Sequence, residues 1–326
     1  GGIINLVLKR GAFEGFNGST SLSAGEYNKN NISGNLNFRT DNWNVFSSTS
    51  YRIGERYSDG LREFDRYWPV IQNPDSLTLL YQNTERIRNS DNISFRFGGD
   101  LYPTPTSTIS YTSTFSNKDQ DSQEIVETTI PIASILDVTE NELENEWDHS
   151  LSYENKFNSK DRKLNADISY GFGKENETEK NRGNEIKDSH NRSNIITSFD
   201  YEDKLGKNMD LEAGFKMTLK SLDDDLLFRE GTYDYIYDED IYALYTTIGY
   251  EINDRLGLKG GLRFEQVETK AKVTGDTTAT TSITHFIINN AVKSDEFNNP
   301  YEHFYPSVFL NYKLTEKQQI QFGYSK

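Results

Sequence analysis

Four histidines, a run of carboxylates and one group of aromatic and arginine side chains are the residues of this chain that could do chemistry. His149, His190, His285 and His303 are scattered through 326 residues, and none stands in a zinc-protease or serine-hydrolase motif. Cysteine is absent, which removes thiolate nucleophiles, thiolate metal sites and a disulfide framework. Asp223, Asp224 and Asp225, with Asp234, Asp238, Glu239 and Asp240, supply the hard oxygen donors that calcium takes. Their spacing matches no calcium-loop motif, and a solvated acidic loop accounts for them. No catalytic residue, cofactor or metal ligand is therefore assigned, and the chain reads as a non-enzyme. Tyr57, Arg62, Arg66, Tyr67 and Trp68 form a compact group within a polar link at 55–91. Aromatic and arginine side chains dominate binding hot spots, so this is the candidate ligand-contacting loop, although a loop packed on its neighbours has the same composition. Thr139 and Glu142, ahead of Leu143, have capping-box spacing and predict a short helix within 117–146.

The elements that must position these residues are strands. In Leu164, Ala166, Ile168, Tyr170 and Phe172 every second residue is apolar, while Asn165, Asp167, Ser169, Gly171 and Gly173 alternate with them. Side chains of a strand point alternately to two faces, so one face of this segment meets an apolar medium and the other meets polar groups. The rhythm returns in Leu211, Ala213, Phe215, Met217 and Leu219, and in Ile32, Gly34, Leu36 and Phe38. Only 34% of residues are hydrophobic, 26% are charged and the net charge is -16, values that approach those of disordered chains. Yet 20 Tyr, 19 Phe and 3 Trp fall mostly in phase with the alternation, which a disordered chain has no reason to arrange. No stretch of some 18 apolar residues occurs, which excludes a spanning helix and leaves a spanning barrel open. The acidic balance, without clustered Lys and Arg, argues against a nucleic-acid partner.

The alternation predicts strands near 15–26, 31–39, 43–54, 92–101, 108–116, 147–157, 163–173, 194–202, 210–220, 241–251, 256–265 and 304–314, and the start of another at 319–326. Short links near 40–42, 102–107, 158–162, 203–209, 252–255 and 315–318 then alternate with long polar ones near 55–91, 117–146, 174–193, 221–240 and 266–303. Short turns at one rim and long loops at the other mark an antiparallel up-and-down transmembrane β-barrel with a wet interior. Trp43, Tyr102, Phe157, Tyr201, Tyr250 and Tyr312 lie by the short links and predict an interfacial girdle. Leu36, Phe38, Leu151, Tyr153, Ile168, Tyr170, Phe215 and Met217 should face lipid, while Arg39, Arg52, Arg96, Lys216 and Arg263 should face the lumen. The chain opens without an initiator Met or a signal peptide and closes within a strand, so a fragment of a longer protein is expected.

The segment Gly2-Ile3-Ile4-Asn5-Leu6-Val7-Leu8-Lys9-Arg10-Gly11 resembles the closing plug strand of TonB-dependent outer-membrane receptors. Gly15-Phe16-Asn17-Gly18-Ser19 is similar to the entry of that family's first barrel strand, and the stretches from Asp240 to Glu265 and from Phe304 to Leu314 are similar to its later strands. The resemblance implies a plug strand at 1–11 and a partial outer-membrane β-barrel at 12–326, with about 12 to 14 strands of a 22-stranded barrel. It implies energy-coupled uptake of an extracellular nutrient ligand through the cell outer membrane of a Gram-negative organism. The implied partners are outer-membrane lipid and the TonB complex, which would act through the rest of the plug. A passive porin or a surface adhesin could use the same barrel, and a soluble extracellular carbohydrate-binding β protein would also alternate. The stretch from Gly2 to Gly11 separates the first reading from a porin, which has no plug strand.

Overall fold

The computed structural model describes residues 14–67, 77–130, 133–157, 161–228, 231–277, 294–315 and 318–326. Among the described residues there is one antiparallel sheet and no helix. Its strands are β1 (Gly15–Ala24), β2 (Asn30–Arg39), β3 (Trp43–Tyr67), β4 (Leu77–Thr104), β5 (Ser107–Ile130), β6 (Ser134–Asn155) and β7 (Lys163–Asn181). They continue with β8 (Asn184–Lys204), β9 (Met209–Phe228), β10 (Gly231–Asn253), β11 (Leu256–Thr277), β12 (Ser294–Asn298), β13 (Tyr301–Thr315) and β14 (Gln318–Ser325). Each strand pairs with the next in chain order, except that β11 carries both the short β12, on its distal half, and β13. β1 and β14 are the two ends of this path, so the sheet is open: an incomplete barrel.

A single layer has no interior to fill. Ala243 and Val267 are the buried hydrophobic residues of the described chain, while Leu36, Phe38, Leu151, Ile168 and Tyr170 are each at least 40% exposed. The register carries all eight residues expected to meet lipid onto one face. Leu151 pairs with Ile168, Ile168 with Thr197, Thr197 with Met217, and Phe199 with Phe215. On β7 this face runs from Leu164 to Phe172, about 27 Å of strand, which suits the apolar belt of a tilted membrane strand. Phe115, Trp147 and Phe172 lie in one row across three strands at its far edge. One row beyond, Asn117 hydrogen-bonds Asn145 at 2.9 Å and Lys174 follows, so the apolar belt ends there.

The short links at 40–42, 203–209 and 252–255 stand at one rim where the alternation places them, to within a residue or two, while those at 158–162 and 315–318 include residues outside the described ones. At that rim Arg162 donates to Asp203 from Nε at 3.1 Å and pairs through Nη2 at 2.9 Å, and Tyr201 donates to the same carboxylate. These contacts hold the Asp203 carboxyl below the usual carboxylate range.

The long links differ from expectation. β3 with β4, β5 with β6, β7 with β8 and β9 with β10 continue as paired strands through most of 55–91, 117–146, 174–193 and 221–240. Beyond the lipid belt both faces meet water, so the polar-apolar alternation disappears while backbone pairing continues. The β7–β8 hairpin closes on Arg182 (φ 47°) and Gly183 (φ 82°), the paired left-handed conformations of a tight two-residue turn. The helix expected from Thr139 and Glu142 is absent. Both residues lie in β6, where Thr139 pairs with Gln123 and Lys180, and Glu142 with Gln120 and Glu177. Pairing on both sides satisfies the backbone groups that a helix would otherwise satisfy within itself.

Candidate functional site

The face opposite the lipid belt is mostly polar, with Phe46, Ile196, Ile241 and Val267 among its apolar members. Arg39, Arg52, Arg96, Lys216 and Arg263 all fall on it by register, as expected from their phase. Near the short-link rim the Tyr245 ring lies across Gly214, where a Cβ would come within 2.4 Å of the ring, and its hydroxyl reaches Asp200. Arg263 covers the same ring at 5.4 Å, and Arg96 covers Phe46 at 5.4 Å. Tyr301, His303 and Tyr305 continue this wall along β13, with His303 stacked on Tyr305 at 5.9 Å.

Ion pairs knit the middle of the wall across strands. Arg86 of β4 reaches Glu140 of β6 at 2.9 Å over Glu124 of β5 at 3.6 Å. Lys118 pairs with Glu142, which also accepts from Gln120 at 2.9 Å. Arg192 of β8 spans β7 to meet Glu144 and Glu146 on β6. Lys220 and Tyr237 both donate to Glu239, at 2.8 and 3.0 Å. Each cation is shared between strands, so these pairs act as a network that sets register and shape in a wall exposed to water.

Farther from the membrane, Asp188, His190 and Asp224 converge. Asp188 and His190 are two apart on β8 and so share a face, and the register sets His190 opposite Asp224 on β9. Asp188 Oδ2 lies 3.2 Å from His190 Nε2, and Asp224 Oδ1 lies 3.0 Å from Nδ1. One potential ligand atom from each residue lies within 4.8 Å of the other two. Asp188 Oδ1 is a buried atom with no hydrogen-bond partner, while Asp224 Oδ1 meets the His190 ring. The reverse face at this level carries Asn176, Lys187, Ser189 and Asp225, which places the node beyond the lipid belt. Burial, and then the Asp188 carboxyl beside it, raises the Asp224 carboxyl above its ordinary range. Glu177, opposite Asp188, is raised by burial and then by Glu140 and Asp188.

Four of the five residues expected to contact ligand stand on a strand rather than in a loop. Tyr57 lies in β3 with its ring 47% exposed, on the face of the lipid belt, because it shares the phase of Tyr51 and Ile53. Arg62, Arg66 and Tyr67 lie on the distal part of β3, and Trp68 falls outside the described residues. The stretch at 1–11 lies outside them as well. The acidic run is likewise divided between strands. Asp223 and Asp225 share the face of Leu219, whereas Asp224 points to the polar wall, so the run is not one solvated loop. The Asp188 and His190 pair has a legible signal, two residues apart on a strand. Asp224 has none, because only the register brings it there.

Comparison with known proteins agrees with this geometry. The family model of the outer membrane protein beta-barrel family matches residues 138–326. The ferric yersiniabactin uptake receptor FyuA from Yersinia pestis superposes with a TM-score of 0.58 at 12% identity, over 95% of this chain and 46% of the receptor. The chain thus spans about half the length of that receptor. The siderophore receptor PiuA from Acinetobacter baumannii (TM-score 0.36, 7% identity, 97% of this chain and 72% of that one) is more distant. So is the outer membrane protease OmpT from Escherichia coli (0.30, 12%, 83% and 96%). No curated protein matches.

Proposed function

We propose, for a chain that belongs to the outer membrane protein beta-barrel family, that it forms part of a TonB-dependent receptor taking up a nutrient by energy-coupled transport. The family and the apolar belt put it in the outer membrane of a Gram-negative cell, with the belt against lipid and the polar wall toward the lumen. The observation that carries the finer reading is the width of the wall. Among the described residues thirteen strands follow chain order, with β12 off the path, and β1 does not reach β14, as in part of a wider barrel; the fold is shared with an uptake receptor of about twice the length. A wall so rich in cross-strand ion pairs can contact a plug and a polar solute alike, and it needs no reaction chemistry: in this reading the protein is not an enzyme.

In this reading Arg39, Arg52, Arg96, Lys216 and Arg263 meet the plug, and the stretch at 1–11 is the plug's last strand. Tyr57, Arg62, Arg66, Tyr67 and Trp68 stay the proposed ligand-contacting group, with the first four on a strand rather than in a loop and Trp68 outside the described residues. The test is binding of the full-length protein, in detergent, to the periplasmic domain of TonB. Saturable binding that is lost when the segment preceding the plug is deleted supports energy coupling. Absence of binding favours a passive porin or an adhesin.

A further inference from the structure

We propose that Asp188, His190 and Asp224 form a binding site for a borderline divalent metal ion of the zinc class on the lumenal wall, beyond the membrane. The reading requires only that this wall meets water, and is independent of energy coupling. The donor set is one imidazole and two carboxylates, whose mixed nitrogen and oxygen character suits zinc and its neighbours better than calcium or magnesium, which take oxygen alone.

Three features converge on a cation here. Zinc holds nitrogen and oxygen donors at about 2.0 to 2.2 Å. Donor atoms gathered within 4.8 Å close onto one ion with small side-chain adjustments. While the imidazole is neutral it donates from one ring nitrogen and accepts at the other, and then one of its two carboxylate contacts, at 3.2 and 3.0 Å, sets acceptor against acceptor. A metal on that nitrogen turns the conflict into a bond. Finally, Asp188 Oδ1 is buried without a hydrogen-bond partner at this node, and a cation supplies what it lacks.

The three ligands come from adjacent strands, Asp188 and His190 from β8 and Asp224 from β9. Bound metal would therefore clamp β8 to β9 where no lipid supports the sheet. Three protein ligands leave a coordination position for water or for an anionic group in the lumen.

The test is zinc titration by calorimetry on the full-length protein in detergent, with cobalt absorption as a second readout. One site is expected, weakened at least tenfold in His190→Gln and in Asp224→Asn and unchanged in Asp225→Asn, which alters the next residue of β9 on the opposite face. Electrophoretic heat-modifiability confirms that each variant is folded. The proposal is overturned if the wild type takes up no zinc, if His190→Gln binds as tightly as the wild type, or if Asp225→Asn loses binding equally.

Discussion

Ile168 sits mid-belt on β7, flanked by Leu151 on β6 and Thr197 on β8, with its side chain 45% exposed on a face with nothing packed over it. In water such a residue would be unremarkable. Repeated along every strand of a one-layer sheet, it means that the medium itself is apolar. Ile168→Arg in the full-length protein should cost about 2–4 kcal/mol if the residue lies near the bilayer midplane. Denaturant titration in lipid vesicles would measure this cost, and a value near zero would mean that the face is wet. The same phase logic places Arg96 and Arg263 on the other face, where each covers an aromatic ring at 5.4 Å. Changing those arginines touches the wall, not the lipid contact.

At the scale of elements, the strands run well past the membrane. β4 has 28 residues and β3 has 25, whereas a tilted strand needs about 9 to 11 to cross the hydrocarbon. What supports the excess length is backbone pairing on both sides, together with ion pairs such as Arg86 with Glu140 and Arg192 with Glu146. Hydrogen exchange on the full-length protein should therefore find amides protected in 118–128 and 136–146, the distal halves of β5 and β6. Exchange at the rate of free peptide across both stretches would restore the loop read from sequence. The lesson is specific to these segments. Near Thr139 apolar residues fall on both faces of the strand, Leu136 and Val138 on one and Ile135 and Leu143 on the other, so the alternation that marks β7 between Leu164 and Phe172 has no counterpart, and a capping-box spacing is the strongest remaining local signal.

The whole molecule exposes 22701 Å² of surface. A compact monomer of 37.5 kDa would expose roughly 14,000 Å². Among the described residues, two faces that no second layer covers and the unpaired edges of β1 and β14 contribute to the excess. Unpaired strand edges template association in water, and a continuous apolar belt adds to it. The 326-residue segment expressed without detergent should accordingly elute from size exclusion as large aggregates. A monodisperse monomer with cooperative unfolding would contradict the membrane reading and revive a soluble β protein.

The amino-acid sequence by itself determined the strands of the lipid belt, their short connections and the face on which each apolar or charged residue stands. Lipid imposes that information one residue at a time: a strand crossing hydrocarbon must alternate, and alternation is legible without any partner. The wall beyond the membrane was decided only by tertiary structure. There the constraint is pairing between strands, and pairing is a relation between distant residues that leaves no period in either segment. Asp224 joins His190 for that reason, 34 positions away in the chain and adjacent across β8 and β9.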